Sequence, residues 1–405
     1  MLYRTHVISA LESKREEFVS FERTLRGEVG ELASQLRALA GRTSAEVRRE
    51  SDAVAARLTY PSDELDSAGA AVLAFRESWR SHEEARRWAL EHLRDRVTFA
   101  ADGSQIFPGR DANLPVAAVQ VASFENPHSP EGRYLKDVHF EVISPDRLRE
   151  GERAYESPEQ IVGLIRFELE ARAVCNFLER RRNLRVKDGR VPVAFFDNTL
   201  LIASLRKGTD SSFAKRMAKA LNELITLSRE TEVPVVGYVD HSYAHDIGGL
   251  LAALHKDLPE TNAYDAQILR ARASDGATPL LRKWGDRTIF WHCQRPNLAE
   301  SFFDEAGHPL VGFVYLQTTA DSHPARLDIP AWVHEAGLVE DVADAVRAEC
   351  IVGNGYPYAI ETADEAAVMT ARDREQFLRV VQDFAAEAGL DFHISRKVMS
   401  KGRRR

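Results

Sequence analysis

Cysteine is scarce in this chain. Cys175, Cys293 and Cys350 are the only ones in 405 residues. They lie far apart and form no CxxC pair, which excludes a zinc knuckle and a disulfide framework. No apolar run approaches the roughly 20 residues of a membrane-spanning helix. No GxxxxGK followed by Ser or Thr occurs, so any nucleotide requirement belongs to a partner. No HExxH occurs either, and the one paired-histidine stretch, "VDHSYAHDI" (239–247), is a weak zinc signal without it. The N-terminus "MLYRTHVISALESKREE" has charges where a signal peptide would be apolar, so the sequence predicts a cytoplasmic protein.

What is present reads as globular: 44% hydrophobic and 29% charged, with net charge -8. That charge does not advertise a nucleic-acid binder, but binding depends on local patches. Three basic clusters are candidates: Arg206 with Lys207; Lys215, Arg216 and Lys219 at helical spacing; and Arg282, Lys283 and Arg287 around Trp284. Residues 1 to about 96 are rich in helix formers. Phe18, Leu25, Leu32 and Leu39 recur every seven residues with Val29 and Leu36 between them, the seam of a coiled-coil arm for a dimer or partner contact. From residue 97 to 392 no repeat or long linker interrupts the chain, and the segment is expected to be one α/β domain. The basic tail "SRKVMSKGRRR" (395–405) closes it, so a boundary is drawn at 393.

In that domain "VTFAAD" (97–102), "PVAAVQVASF" (115–124) and "RYLKDVHFEVIS" (133–144) read as neighbouring antiparallel strands. A helix opened by Ser157-Pro158-Glu159 follows, running to about Arg182. Then come the apolar strand "VPVAFFD" (191–197), a helix over 212–229 and a second apolar strand, "VPVVGYVD" (233–240). Apolar strands alternating with helices are parallel and buried on both faces. Residues 243–282 read as helical. Strands are expected near 286–293, 310–318 and 325–333, and helices again around 338–350, 358–370 and 372–388.

Asp102 and Asp197 each stand at the end of an apolar strand and before a loop-favouring residue, which is where open α/β sheets place ligands. Gly103 is expected to break the strand and to let backbone approach a substrate. If the two strands are neighbours, the carboxylates meet and need a bridging cation; Mg²⁺ or Mn²⁺ suits an oxygen-only site. The helix between them offers Glu168, which the helical wheel puts on the sheet side, and Glu170 at the edge of the apolar stripe. Near the C-terminus, "GNGYPYAIETADEAA" leads from a Gly-Tyr-Pro turn into a helix with Glu361, Asp364 and Glu365.

In order, "FAADGSQ", "VAFFDNTLL", "VPVVGYVD", "GDRTIFW" and "GYPYAIETADEAA" resemble the NurA nuclease family over about residues 97–400. The resemblance implies an RNase H-like fold and a Mn²⁺-dependent DNA nuclease, with Mg²⁺ as a second candidate. It implies a homodimer with 5′→3′ exonuclease and single-strand endonuclease activity, acting with a HerA-type hexameric translocase in DNA end resection. It implies Asp102 and Asp197 as metal ligands, with Glu170 by its "LEARA" context or Glu168 by the wheel. Tyr356 matches the family's tyrosine, and Asp364 stands where the archaeal pattern has histidine. Aspartate suits a metal but not a proton shuttle at neutral pH. That change leaves a second reading open, an adaptor of weak or no activity that regulates the translocase. A third is another RNase H-like nuclease.

Overall fold

A computed structural model describes residues 2–54, 57–109, 113–153, 157–182, 190–202, 212–255, 263–272, 276–295, 298–320 and 322–393. The basic tail, Arg206 and Lys207 lie outside these. The principal elements are α1 (Arg4–Glu12), α2 (Arg15–Ala38), α3 (His82–Leu93), β1 (Thr98–Ile106), β2 (Ala117–Asn126), β3 (Leu135–Ile143), α4 (Pro158–Arg181), β4 (Val193–Phe196), α5 (Ser212–Thr231), β5 (Val235–Val239), α6 (Asp246–Leu254), α7 (Asp265–Arg270), β6 (Val311–Leu316), β7 (Ala325–Pro330), α8 (Val339–Val352), α9 (Tyr358–Ala367) and α10 (Ala371–Glu387).

The chain packs as two units. One holds Trp79–Tyr238, Asn297–Leu310 and Trp332–Arg405; the other holds Met1–Ser78, Val239–Pro296 and Val311–Ala331. The sequence pattern suggests a boundary at 96/97 instead. The N-terminal helices carry an apolar stripe, and long-range packing, invisible in a linear reading, decides which segment buries it.

In the Trp79–Tyr238 unit, β1, β2 and β3 form an antiparallel meander, and β4 and β5 add in parallel on the other side of β1, giving the order β3-β2-β1-β4-β5. This is the RNase H-like arrangement. All four residues of β4 are buried, as a parallel strand covered on both faces requires. Helix α4 packs against β1, β2 and β4 and carries α5 on its outer side, while α9 covers the opposite face of β1 and β2. Ser157 starts α4 with a capping box: its Oγ accepts from the Gln160 amide at 3.2 Å and Gln160 Oε1 accepts from the Ser157 amide at 2.7 Å. A cap of this kind is worth about 1 kcal/mol.

In the other unit, β6 and β7 pair antiparallel, and the expected strand at 286–293 is reduced to two-residue pieces beside β6. The helical reading of 243–282 is realised as α6 and α7 alone among the described residues. The heptad seam of α2 is half used. Val29, Leu32, Leu36 and Leu39 are buried, and α2 packs on α6 and α7, whereas Phe18 and Phe21 stay exposed.

Candidate functional site

Strands β1 and β4 run parallel in a register that pairs Ala101 with Phe196. The next position sets Asp102 beside Asp197, and neighbouring strands are about 4.8 Å apart. At that point β4 ends: the Asn198 amide donates to the Phe196 carbonyl at 2.7 Å in a tight turn. Strand β1 does not end. It continues to Ile106 on β2, so Gly103 lies inside a strand, paired with Val121. This corrects the expected break.

The reason for glycine is steric. A Cβ on Gly103 would sit 2.6 Å from Glu170 Oε1 and 2.9 Å from Arg166 Cγ. Its absence is what admits Glu170 from α4 against the β1 backbone, so the close approach is by a side chain of this chain. Alternation along β1 puts Asp102 on the opposite face, where Ser104 Oγ donates to the Ala367 carbonyl at the end of α9. Asp364 of α9 lies within hydrogen-bond reach of Asp102 there. Tyr356 enters from the turn before α9. Its hydroxyl donates to Asp197 Oδ1 at 2.7 Å, and its ring packs edge-on against Tyr238 with centroids 5.1 Å apart. The turn depends on Gly353, whose Cβ would collide with the Tyr356 carbonyl.

Asp102, Asp197, Asp364 and Tyr356 are thus brought together, and Glu170 approaches the same stretch of β1 from the α4 side, close enough for Asp102 and Asp197 to act on its charge. Glu168 does not join them. It forms a bidentate ion pair with Arg216 of α5, at 2.8 and 2.6 Å. The wheel puts it on the sheet side because a wheel assumes one apolar face. Helix α4 has two, one against the sheet and one against α5, and its buried residues run nearly around it. Glu168→Gln is expected to leave single-strand cleavage within about threefold of wild type, since an exposed pair contributes little. A rate assay with that variant checks it. Tyr356→Phe removes the hydroxyl that orients Asp197. A loss of roughly 10- to 100-fold is expected, the size typical of a group that orients a ligand.

The electrostatics of the cluster are those of crowded anions. Burial, helped by the neighbouring Asp364 and Asp197 and opposed by the Gly103 amide, lifts Asp102 from 3.8 to about 6. Burial lifts Glu170 from 4.5 to about 8, against the pull of Arg166 and with the push of Asp102 and Asp197. Glu170 Oε1 is buried without a hydrogen-bond partner. Among the described residues, no three carboxylate, imidazole or thiolate groups already surround a common point as a metal shell. The donors are nevertheless crowded hard oxygens, one of them buried without a hydrogen bond, the chemistry that fits Mg²⁺ or Mn²⁺.

Raised carboxyl values mean that the folded chain holds protons the unfolded chain releases. The associated stability is complete below about pH 4 and is lost as pH rises toward about 8. In EDTA, the difference in unfolding midpoint between wild type and Glu170→Gln should therefore move against wild type from pH 5 to pH 8. A difference constant over that range contradicts the assignment.

The remaining candidates serve other ends. Asp246 is buried and clamped by Arg295 and Arg326, each at 2.6 Å, and His245 bonds the Ala263 carbonyl, so the "VDHSYAHDI" residues do not converge as a metal pair. Arg287 is buried against Glu64 at 2.8 Å, whereas Arg282, Lys283, Lys215 and Lys219 are not buried. Arg166, one turn before Glu170 on α4, is the counter-charge of the cluster, a pairing that the i,i+4 spacing in the sequence already offers.

A family comparison matches the NurA domain over residues 96–369, about two thirds of the chain. A crystal structure of NurA with manganese is 12% identical, over 69% of this chain and 87% of that one, with TM-score 0.38. One of NurA bound to dAMP and manganese is 11% identical, over 71% and 88%, with TM-score 0.41. The catalytic domain of human Endonuclease V is 15% identical, over 76% and 97%, with TM-score 0.31. At these scores the structural likeness carries no argument about the site. A comparison with curated proteins gave no match.

Proposed function

The chain belongs to the NurA domain family, a family of nucleases, and on that premise we propose that it is a divalent-metal-dependent deoxyribonuclease whose centre is Asp102, Asp197, Glu170 and Asp364. The observation that supports this most is the parallel β1/β4 register, which sets two carboxylates side by side where β4 ends. A bound Mn²⁺ or Mg²⁺ would supply Lewis-acid polarisation of the phosphate and a water of lowered pKa. Asp102 and Asp197 would hold it, with Glu170 and Asp364 completing the oxygen set. Tyr356 keeps Asp197 oriented through its hydroxyl.

Single-stranded DNA and duplex ends are the proposed substrates, in DNA end resection and repair. Two clefts flank α4, one of about 510 Å³ lined in part by Lys136, His139 and Arg180, the other of about 270 Å³ lined in part by Arg216 and Lys219, and Arg172 lines both. Cations placed along a groove are the usual means of tracking a phosphate backbone. A homodimer and a HerA-type hexameric translocase complete the reading. Exposed apolar residues support such contacts: Phe18, Val19 and Phe21 on α2, Val138, Phe140 and Val142 on β3, and Val380 and Phe384 on α10.

The test is cleavage of end-labelled single-stranded DNA, duplex DNA and an RNA–DNA hybrid with Mn²⁺, Mg²⁺ or EDTA. Metal-dependent cutting of DNA supports the reading, and label position gives polarity. Preference for the hybrid would favour another RNase H-like activity. No cutting in any metal would favour the adaptor reading.

A further inference from the structure

We propose that Arg166 is a positioning residue whose guanidinium fixes the Glu170 carboxylate to the β1 backbone at Gly103, ready for a metal ion; this rests on the nuclease reading above. Arg166 and Glu170 stand one turn apart on α4. Arg166 Nη1 donates to the Gly103 carbonyl at 2.9 Å, and its Nε lies 3.4 Å from Glu170 Oε1. Both Nε and Oε1 are buried without a hydrogen-bond partner, so the two meet as an ion pair. One side chain therefore bridges strand and helix at the residue that follows Asp102.

The geometry suits arginine. A planar guanidinium presents its donors in a fixed fork, so a carbonyl that holds one edge dictates where the other edge points. A lysine ammonium supplies charge without that second constraint. Gly103 is part of the same device, because the Cβ it lacks would meet Arg166 Cγ and Glu170 Oε1 together. The Glu170 side chain is 8% exposed and that of Arg166 34%. The carboxylate is thus deep, and the arginine side chain reaches further toward solvent. Among the groups acting on Glu170, Arg166 is the cation while Asp102 and Asp197 are anions. Without the fork, a buried carboxylate facing two like charges has every reason to turn away from them.

The experiment titrates Mn²⁺ calorimetrically into the full chain as wild type, Arg166→Lys and Arg166→Met. Unfolding midpoints in EDTA and steady-state cleavage of labelled single-stranded DNA accompany it. Arg166→Met is expected to weaken Mn²⁺ binding by about 10- to 100-fold, the range for a group that orients a metal ligand. KM for DNA should be unchanged, and excess Mn²⁺ should recover most of kcat. Arg166→Lys should fall between. Wild-type Mn²⁺ affinity in both variants, with only a lowered midpoint, would reduce Arg166 to a structural staple and overturn the proposal. A raised KM for DNA at unchanged Mn²⁺ affinity would make it a substrate contact, which also overturns it. A wild-type chain that binds no Mn²⁺ overturns the nuclease reading itself. If Arg166→Met does not fold, Arg166→Lys carries the same comparison.

Discussion

Asp102→Asn is expected to lower cleavage of single-stranded DNA by about 10³-fold or more and, in EDTA at pH 8, to raise the unfolding midpoint. The two effects have one origin. Asp102 stands beside Asp197 in the β1/β4 register, within reach of Asp364, and near Glu170. Without a cation these groups repel, which is why burial and neighbours hold Asp102 near 6. An amide of the same shape removes that repulsion and stabilises the metal-free fold. It also removes a ligand, and with it several kcal/mol of charge stabilisation, each ~1.4 kcal/mol being tenfold in rate. Activity and apo stability moving in opposite directions is a signature that a simple folding defect would not give. A variant that cuts at the wild-type rate refutes the role of Asp102.

Gly103→Ala should be almost as damaging, although it adds a single methyl. The new Cβ would fall 2.6 Å from Glu170 Oε1 and 2.9 Å from Arg166 Cγ. Both belong to flexible side chains, so the fold survives at a cost of about 1–3 kcal/mol for overpacking, while the carboxylate is displaced from the β1 backbone. A cleavage loss of roughly 10²- to 10³-fold is expected, because misplacing a catalytic group by about an ångström costs on that order. The combination with Glu170→Gln should be far from additive, since both changes remove the same contribution. Rate measurements on the two single variants and the double variant decide this. Independent, multiplying losses would mean that Gly103 acts through something other than Glu170.

The succession of strands and helices and the two strand-end carboxylates Asp102 and Asp197 were legible in the sequence because they follow from local pattern, while the adjacency of β1 and β4 stood there only as a condition. Apolar runs alternating with helices imply parallel, buried strands, and "FFD" before a turn puts a carboxylate at the end of one of them. Three features were not legible. Where β1 ends depends on its partners: β2 carries it past Gly103 while β4 stops at Phe196, and neither is written near residue 103. The choice between Glu168 and Glu170 turned on α4 having two buried faces, which a wheel drawn for one face misplaces. The grouping of Met1–Ser78 with Val239–Pro296 and Val311–Ala331 rests on packing between segments far apart in sequence. The Gly-Tyr-Pro turn was readable as a turn, but its tyrosine's partner Asp197 lies 159 residues away.

The most direct test of the central claim is a calorimetric titration of Mn²⁺ into the wild-type chain and the Asp102→Asn variant at pH 6 and pH 8. Saturable binding by wild type is predicted, tighter at pH 8 because Asp102 and Glu170, held near 6 and 8, must give up protons to become ligands. The variant should bind at least tenfold more weakly. Identical titrations for the two proteins, or no dependence on pH, would contradict a metal centre built on these carboxylates.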